Sequence, residues 1–444
     1  MKEIKELKRT NKYRLYPNAG QKALLDRLFN GTRFVHNQLL GLVKESKFGT
    51  YVVKKGKNKG KEYPKIPSRF ALIKYITKLK KEKKFLYEIP NDFLQAEATN
   101  LSVGFVNFYT THGYPKFKTK KDKTKSLNSY DGNVCKRAIK ENHVQLASPR
   151  LKYRKYPKEL YSIKFKKHKT KWSIGKITGY TIKKDNLNNY WVCIAHKFNQ
   201  KIRKPRNGQV GIDLGIKELI TTSDGDQVAN LKFLKQSQYK LKRAQQSLSR
   251  KKRGSQNRKK QVIRVAKVYA KITNQRNHHN HVVSHRIANE NGLVVMESLK
   301  IKNMIKNRKL SKAISDVAWG DLTQKIKYKV DENQGTFVQI GQFFPSSKKC
   351  SKCGNVKEKL GLDERTYICS QCGLSLDRDV NAALNILHQG RIQLTGSTEE
   401  PPGTSIKRKP MESKSDLGLY KYKCKQGRGI RKKRKKLLKR RIVI

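Results

Sequence analysis

What this chain most lacks is negative charge. Of its 444 residues only 33 are Asp or Glu, against 103 Lys and Arg, a formal net charge of +70. An ordinary soluble enzyme does not tolerate that self-repulsion unless something polyanionic absorbs it. Basic residues run from Lys2 to Arg441, so the whole body is electropositive, not a tail alone. Nucleic acid becomes the default partner, and a large RNA a natural one. Long apolar runs are missing as well. Nothing approaches the ~18 consecutive apolar residues of a membrane span. The N-terminal MKEIKELKRTNKYRLYPN has no apolar core for a secretory signal. Cysteine is scarce, seven in all. Four fall in tight pairs, which argues against a secreted disulfide framework and for reduced thiols holding metal. A cytoplasmic protein is expected.

The chain is too long for one typical core, so two or three domains are expected. NKYRLYP (11–17) alternates polar and apolar side chains like a short strand that Pro17 stops. From Gln21, Leu24, Leu25, Leu28, Phe29, Phe34, Val35, Leu39 and Leu40 recur at helical spacing. A Lys/Gly-rich loop is expected from Tyr51 to Lys61. Further helical blocks follow from Phe70 to about Leu86, and after Pro90, so that 17–112 reads as a helical domain. Beyond the extended basic GYPKFKTKKDK, residues 144–198 interleave β-branched and aromatic residues with lysines, as strands do. The helical block then reads as an insertion in a β-barrel. From Val210, apolar strands alternate with helices: VGIDLG, a basic helical stretch from about Leu231 to Ala288, GLVVMES, FVQIGQFF and DVNAALNIL. That order indicates an α/β core.

The strongest local signal is Cys350-x2-Cys353-x15-Cys369-x2-Cys372, the spacing of a four-cysteine zinc site. Gly354 and Gly373 allow the tight knuckle turns. Four thiolates leave no open position, so one structural zinc is expected rather than a hydrolytic one. Cys135, Cys193 and Cys424 stand alone. A second signal is distributed. Asp213 lies on the strand face opposite Val210 and Ile212, Glu297 sits where the apolar run of LVVMES gives out, and Asp379 precedes VNAALNIL. Three carboxylates at element ends suit hard divalent cations such as Mg²⁺, and two such ions promote phosphodiester hydrolysis. Each acid alone also admits a plainer reading: a turn former, a strand-end charge, an N-cap. Arg365 either reaches a scissile phosphate or braces the knuckle. Asp377 either caps a helix or pairs with Arg378. His278, His279 and His281 read as a solvated helix face.

These residues lie in a run of blocks that resembles the TnpB family, transposon-encoded RNA-guided DNA nucleases related to type V CRISPR effectors. The blocks are YRLYPNAGQKALLDRLFNGTRFVHNQLL, GYPKFK, GIDLGIKELITTSDG, LSKAISDVAWGDLTQKIKYK, FFPSSKKCSKCG and YICSQCGLSLDRDVNAALNIL. They span nearly the whole chain. The resemblance implies a multidomain α+β protein. An RNase H-like (RuvC) α/β nuclease core would cover 206–390, with a zinc-ribbon insertion at 345–376. A wedge β-barrel would have its first strand in 1–16 and its remainder in 113–205, carrying the helical recognition domain 17–112. Its acidic triad maps onto Asp213, Glu297 and Asp379, with two Mg²⁺ ions, and its zinc onto the four cysteines. The implied partners are a guide RNA from a transposon end and target double-stranded DNA beside a short flanking motif, with both strands cut at one site. The protein would be a monomer in a cytoplasmic ribonucleoprotein, on the nucleoid when acting. Gln95, Tyr114, Lys116 and Lys118 are candidate nucleic-acid contacts by location. The basic segment 391–444 departs from the family core and is expected to be disordered. Three other readings stay open: a miniature type V CRISPR effector, a strand-transfer transposase, and a nuclease-inactive repressor, the last disfavoured by the intact acids.

Overall fold

A computed structural model describes residues 4–396, apart from 48, 53–59, 61, 111–112, 121, 123–124, 150, 168–174, 202–205 and 362. The chain opens with a long strand, β1 (Ile4–Leu15). Pro17 breaks it, and Asn18 starts α1 (Ala19–Lys44) with a reciprocal capping box to Gln21. The apolar residues of α1 recur at 3.6-residue spacing, and Leu24, Leu25, Leu28, Val35, Leu39 and Leu40 are all buried. A short hairpin of β2 (Thr50–Val52) and β3 (Glu62–Pro64) flanks the expected loop. Two more helices follow, α2 (Arg69–Glu82) and α3 (Asn91–Thr110). Next come β4 (Lys125–Ser129), α4 (Gly132–Ala138), β5 (His143–Gln145), β6 (Ser162–Lys166), β7 (Lys176–Lys184) and β8 (Tyr190–Lys201).

These strands form a six-stranded sheet in the order β4-β7-β8-β1-β6-β5. β1 runs antiparallel to β8 along its length, from Ile4↔Lys201 to Leu15↔Tyr190. The helices α1–α3 therefore lie in sequence between two adjacent strands. They share one continuous core with the sheet, in which Leu25, Leu39, Phe93 and Phe105 join Leu127, Tyr180, Ile182 and Val192. Among the described residues the end strands β4 and β5 do not pair with each other, so hydrogen bonding leaves the sheet open.

The second half builds a five-stranded sheet. Its elements are β9 (Gly208–Asp213), β10 (Glu218–Thr222), β11 (Gln227–Ala229), α5 (Phe233–Ser249), α6 (Gln256–Glu290), β12 (Asn291–Glu297), α7 (Ile301–Met304), α8 (Ser311–Val317), α9 (Trp319–Glu332) and β13 (Thr336–Ile340). The order is β11-β10-β9-β12-β13. β9, β10 and β11 run antiparallel in turn, whereas β12 is parallel to both β9 and β13. Strand alternation divides the side chains between two faces. Val210, Ile212, Val294 and Met296 pack with Val283, Ile287, Leu322 and Ile326 of α6 and α9. The other face is covered by the last helix. It follows β14 (Thr366–Ile368) and β15 (Ser375–Asp377) as α10 (Arg378–Thr395). There Val295 and Ile340 meet Ile386 and Leu387.

Two expectations need correction. Helix α10 begins at Arg378, before Val380. It also runs through 391–395 to Gly396, past the expected start of a disordered tail: Gly390 is held in the helix by its close contact with Val295, and the helix stops only at Gly396, whose φ is +68°. Residues 397–444 lie outside the described residues. Among the described residues no helix is long and apolar enough to cross a membrane.

Candidate active site and metal centre

The four paired cysteines come together. Cys350 Sγ lies 3.6 Å from Cys372 Sγ, and Cys353 Sγ lies 3.6 Å from Cys369 Sγ. All four sulfurs lie within 4.8 Å of one another. Sulfurs about 2.3 Å from a tetrahedral zinc sit about 3.8 Å apart, so the donor set fits that ion in size and chemistry. The turns depend on glycine: Gly354 and Gly373 have φ of +80° and +69°. Backbone N–H groups of Cys372 and Gln371 aim at the Cys369 sulfur and lower its proton affinity to about 6, favouring the thiolate that binds metal. Four soft ligands close the tetrahedron, so this zinc would be structural. Cys135, buried, and Cys193, half-buried, stand apart from it as free thiols; Cys424 lies outside the described residues.

The carboxylates are assembled by register. Met296 pairs with Ile212 across the parallel β9–β12 ladder, so Glu297 and Asp213, each one residue further on, end neighbouring strands side by side. Alternation turns Asp213 to the face of Gly211, and Glu297 to the face of Val295. That is the α10 face. Gly211 lets the helix touch the sheet, since a Cβ there would fall 2.0 Å from the Ala383 carbonyl oxygen. One turn back along α10 from Ala383 stands Asp379, while two residues forward from Gly211 stands Asp213. The charges sense one another. Burial, then Asp379, then Glu297 raise Asp213 to about 7, while the Leu214 N–H and the Arg378 guanidinium pull the other way. Burial also raises Glu297. Three hard oxygen donors whose charges oppose each other are a fitting set for divalent magnesium.

Asp379 is not the helix cap. That role belongs to Asp377, whose carboxylate accepts from the N–H groups of Asp379 and Val380 at 2.9 and 3.1 Å. Asp379 is left in the first turn with its carboxylate free for the cluster. Arg365 is exposed and meets α10 through its backbone, its carbonyl accepting from Arg378 N–H at 2.8 Å. The arginine beside the acids is instead Arg378, which sequence reasoning noticed only as a partner for Asp377. Its guanidinium donates to the Gly361 carbonyl at 2.6 Å, tying the ribbon to the cluster. Asn381 and Asn385 were missed altogether. Both are buried. Asn381 Nδ2 donates to the Lys349 carbonyl at 2.8 Å and its Oδ1 accepts from Ser351 N–H at 3.0 Å. Asn385 Nδ2 donates to the same Lys349 carbonyl at 2.6 Å. A polar residue every fourth position inside an apolar helix face is the signal that could have found them.

The candidate nucleic-acid contacts divide. Gln95 and Lys116 are exposed. Tyr114 packs edge-on between Phe105 and Phe108, with ring centroids 5.5 and 5.3 Å away. Lys118 Nζ pairs at 2.6 Å with the buried Glu97, which also contacts His36 Nδ1 at 3.2 Å. Lys118 and Tyr114 therefore hold the 113–118 segment against α1 and α3. The histidines do not form one solvated face: His278 and His281 are exposed, but His279 packs against Phe233.

Three family models match the chain. "Probable transposase" covers 192–308, "Cas12f1-like, TNB domain" covers 319–386, and "Helix-turn-helix domain" covers 7–46. A protein of Streptomyces pristinaespiralis named "Putative RNA-guided DNA endonuclease" is 34% identical over 388 residues, 87% of this chain and 90% of its own. The chain belongs to the TnpB/OrfB family. InsQ of Escherichia coli K12, named "Putative RNA-guided DNA endonuclease InsQ", is 24% identical over 418 residues, 90% of this chain and 97% of its own. The CRISPR-associated endodeoxyribonuclease Cas12f1 of Sulfoacidibacillus thermotolerans is 27% identical over 218 residues, 46% of this chain and 50% of its own. Within this TnpB-family chain the 319–386 match encloses the four cysteines and Asp379. The 7–46 match spans β1 and α1, a strand and a single helix in this structure.

Proposed function

We propose that this chain is an RNA-guided DNA endonuclease that hydrolyses phosphodiester bonds at one acidic centre, Asp213, Glu297 and Asp379. The observations that support the reading are the side-by-side ends of β9 and β12, the contact of α10 with the sheet at Gly211, and the charge that Asp213 feels from Asp379 and Glu297. The sheet order, with three antiparallel strands followed by two parallel ones, supports an RNase H-type core. The protein's own part would be to present the three carboxylates together, where burial and mutual repulsion disfavour the ionised form of Asp213 and bound cations would offset that repulsion. Two magnesium ions, when bound, would supply an activated water and charge stabilisation for the leaving oxygen. Arg378 would offset the cluster's charge from the ribbon side.

The guide, in this reading, is an RNA from a transposon end, and the target is double-stranded DNA beside a short flanking motif. Base pairing reads the sequence while the electropositive body holds backbones, which accounts for the +70 charge. The names of the relatives support the RNA and DNA partners. Asp213→Ala, Glu297→Ala and Asp379→Ala should each lower guide-directed cleavage by at least about 1000-fold, the scale of losing an essential group, with RNA and DNA binding retained in gel shifts. Cutting retained in any one variant would remove that residue from the centre. Donor ends joined to target DNA, in place of double-strand breaks, would favour the strand-transfer reading that the name of the 192–308 family model raises.

A further inference from the structure

Just beyond the acidic cluster the sheet ends in an aromatic ring held out in solvent. Phe343 is 87% exposed, more than any other exposed large hydrophobic side chain among the described residues. Its neighbour Phe344 turns inward and packs with Val295, Ile340, Ile386 and Leu387. The turn between them is fastened. Phe344 N–H donates to the Gly341 carbonyl at 3.3 Å, and Ser346 N–H to the Phe344 carbonyl at 2.8 Å. Buried Asn385 donates to the Ser346 carbonyl at 2.8 Å. Phe343 thus projects from a fixed base. Beside it lies Lys300, with Nζ 5.7 Å from the ring centroid.

Register explains why these two meet. Glu297 and Ile340 form the last pair of the β12–β13 ladder, and Ser298 N–H still donates to the Ile340 carbonyl at 3.1 Å. Both strands end at that pair, and Lys300 and Phe343 each stand three residues beyond it, on neighbouring chain segments. A single exposed apolar side chain is ordinary on a protein surface. This one differs in its rigid support, its neighbouring cation and its position past Glu297.

We propose that Phe343 and Lys300 form a stacking platform for an unpaired base of the DNA strand that crosses the carboxylates. Phe343 takes the face of the base and Lys300 the adjoining phosphate. The inference rests on the nuclease reading above. Every base has a π-face, so such a platform accepts any sequence, as a nuclease directed by a separate guide requires. Its task is to fix which phosphodiester lies at the acids.

The test uses the full-length ribonucleoprotein and target DNA with 2-aminopurine stepped through the cut region, in Ca²⁺ so that the strand stays intact. Fluorescence should be quenched at one position, restored by Phe343→Ala and quenched again in Phe343→Trp. In Mg²⁺, Phe343→Ala should lower kcat/KM about tenfold, the scale of one base–aromatic stack, and spread the cut over neighbouring phosphates. An abasic site at the quenched position should cost the wild type the same and Phe343→Ala nothing further, with guide-directed binding unchanged. Quenching indifferent to Phe343, additive losses, or Phe343-dependent quenching only with the probe in the guide RNA would overturn the platform. If Phe343-dependent quenching appears in DNA that is never cut, the nuclease reading fails and the platform stands.

Discussion

Asp213 sits at about 7, far above the ordinary carboxylate value of 3.8, because burial and the charges of Asp379 and Glu297 disfavour its ionised form. The sign of the stability effect follows. Between about 4 and 7 the folded protein holds a proton that the unfolded chain has lost, so stability falls as pH rises through that window. In magnesium-free buffer with zinc retained, Asp213→Asn should remove this fall. At pH 8 it should be more stable than the wild type by on the order of a few kcal/mol, seen as a higher Tm. Added Mg²⁺ should raise the wild-type Tm at pH 8 and leave it unchanged at pH 4. At this scale the sequence was informative where a pattern stopped: Asp213 and Glu297 break apolar strands, and the cysteines repeat a spacing. It could not divide labour between Asp377 and Asp379. Either could cap, and the choice turns on where β15 ends, which its pairing with β14 through Thr366↔Asp377 decides. The buried Glu97, partner of Lys118 and His36, was invisible because its partners are remote in sequence.

Helix α10 supports both the cysteine cluster and Asp379, one of the three proposed magnesium ligands. Asn381 and Asn385 fasten the first knuckle to it, Arg378 fastens the Gly361 loop, and β15 feeds its N-terminus directly. Removing the Asn381 side chain leaves the half-buried Ser351 N–H without its acceptor, a loss of about 1 kcal/mol. Asn381→Ala should lower Tm and speed zinc release to a chromogenic chelator, while Cys350→Ser or Cys369→Ser should abolish stoichiometric zinc. One equivalent of zinc retained in the cysteine variants would refute the four-thiolate site. Elements with several turns were legible because apolar residues repeat along them, as in α1 and α3. The three-residue strands β5, β14 and β15 were not. Three residues carry no period, and pairing alone defines them.

At the scale of the molecule, two sheets of different construction are joined in one strongly basic chain. The α/β character of the second half could be read from strands alternating with helices, but its strand order could not. Nor could the pairing of β1 with β8, since residues far apart in sequence choose each other through a shared core. The net charge of +70 identifies a polyanion as partner without naming its role. Reprogramming the guide tests that role. The protein is purified with its RNA, the guide segment is exchanged, and the complex is given plasmids matching the old or the new guide in Mg²⁺. Linearised plasmid is expected only where guide and target match, moving with the exchanged segment, with no cutting in Asp213→Ala. Cutting that ignores the guide, or persists without RNA, would contradict that role.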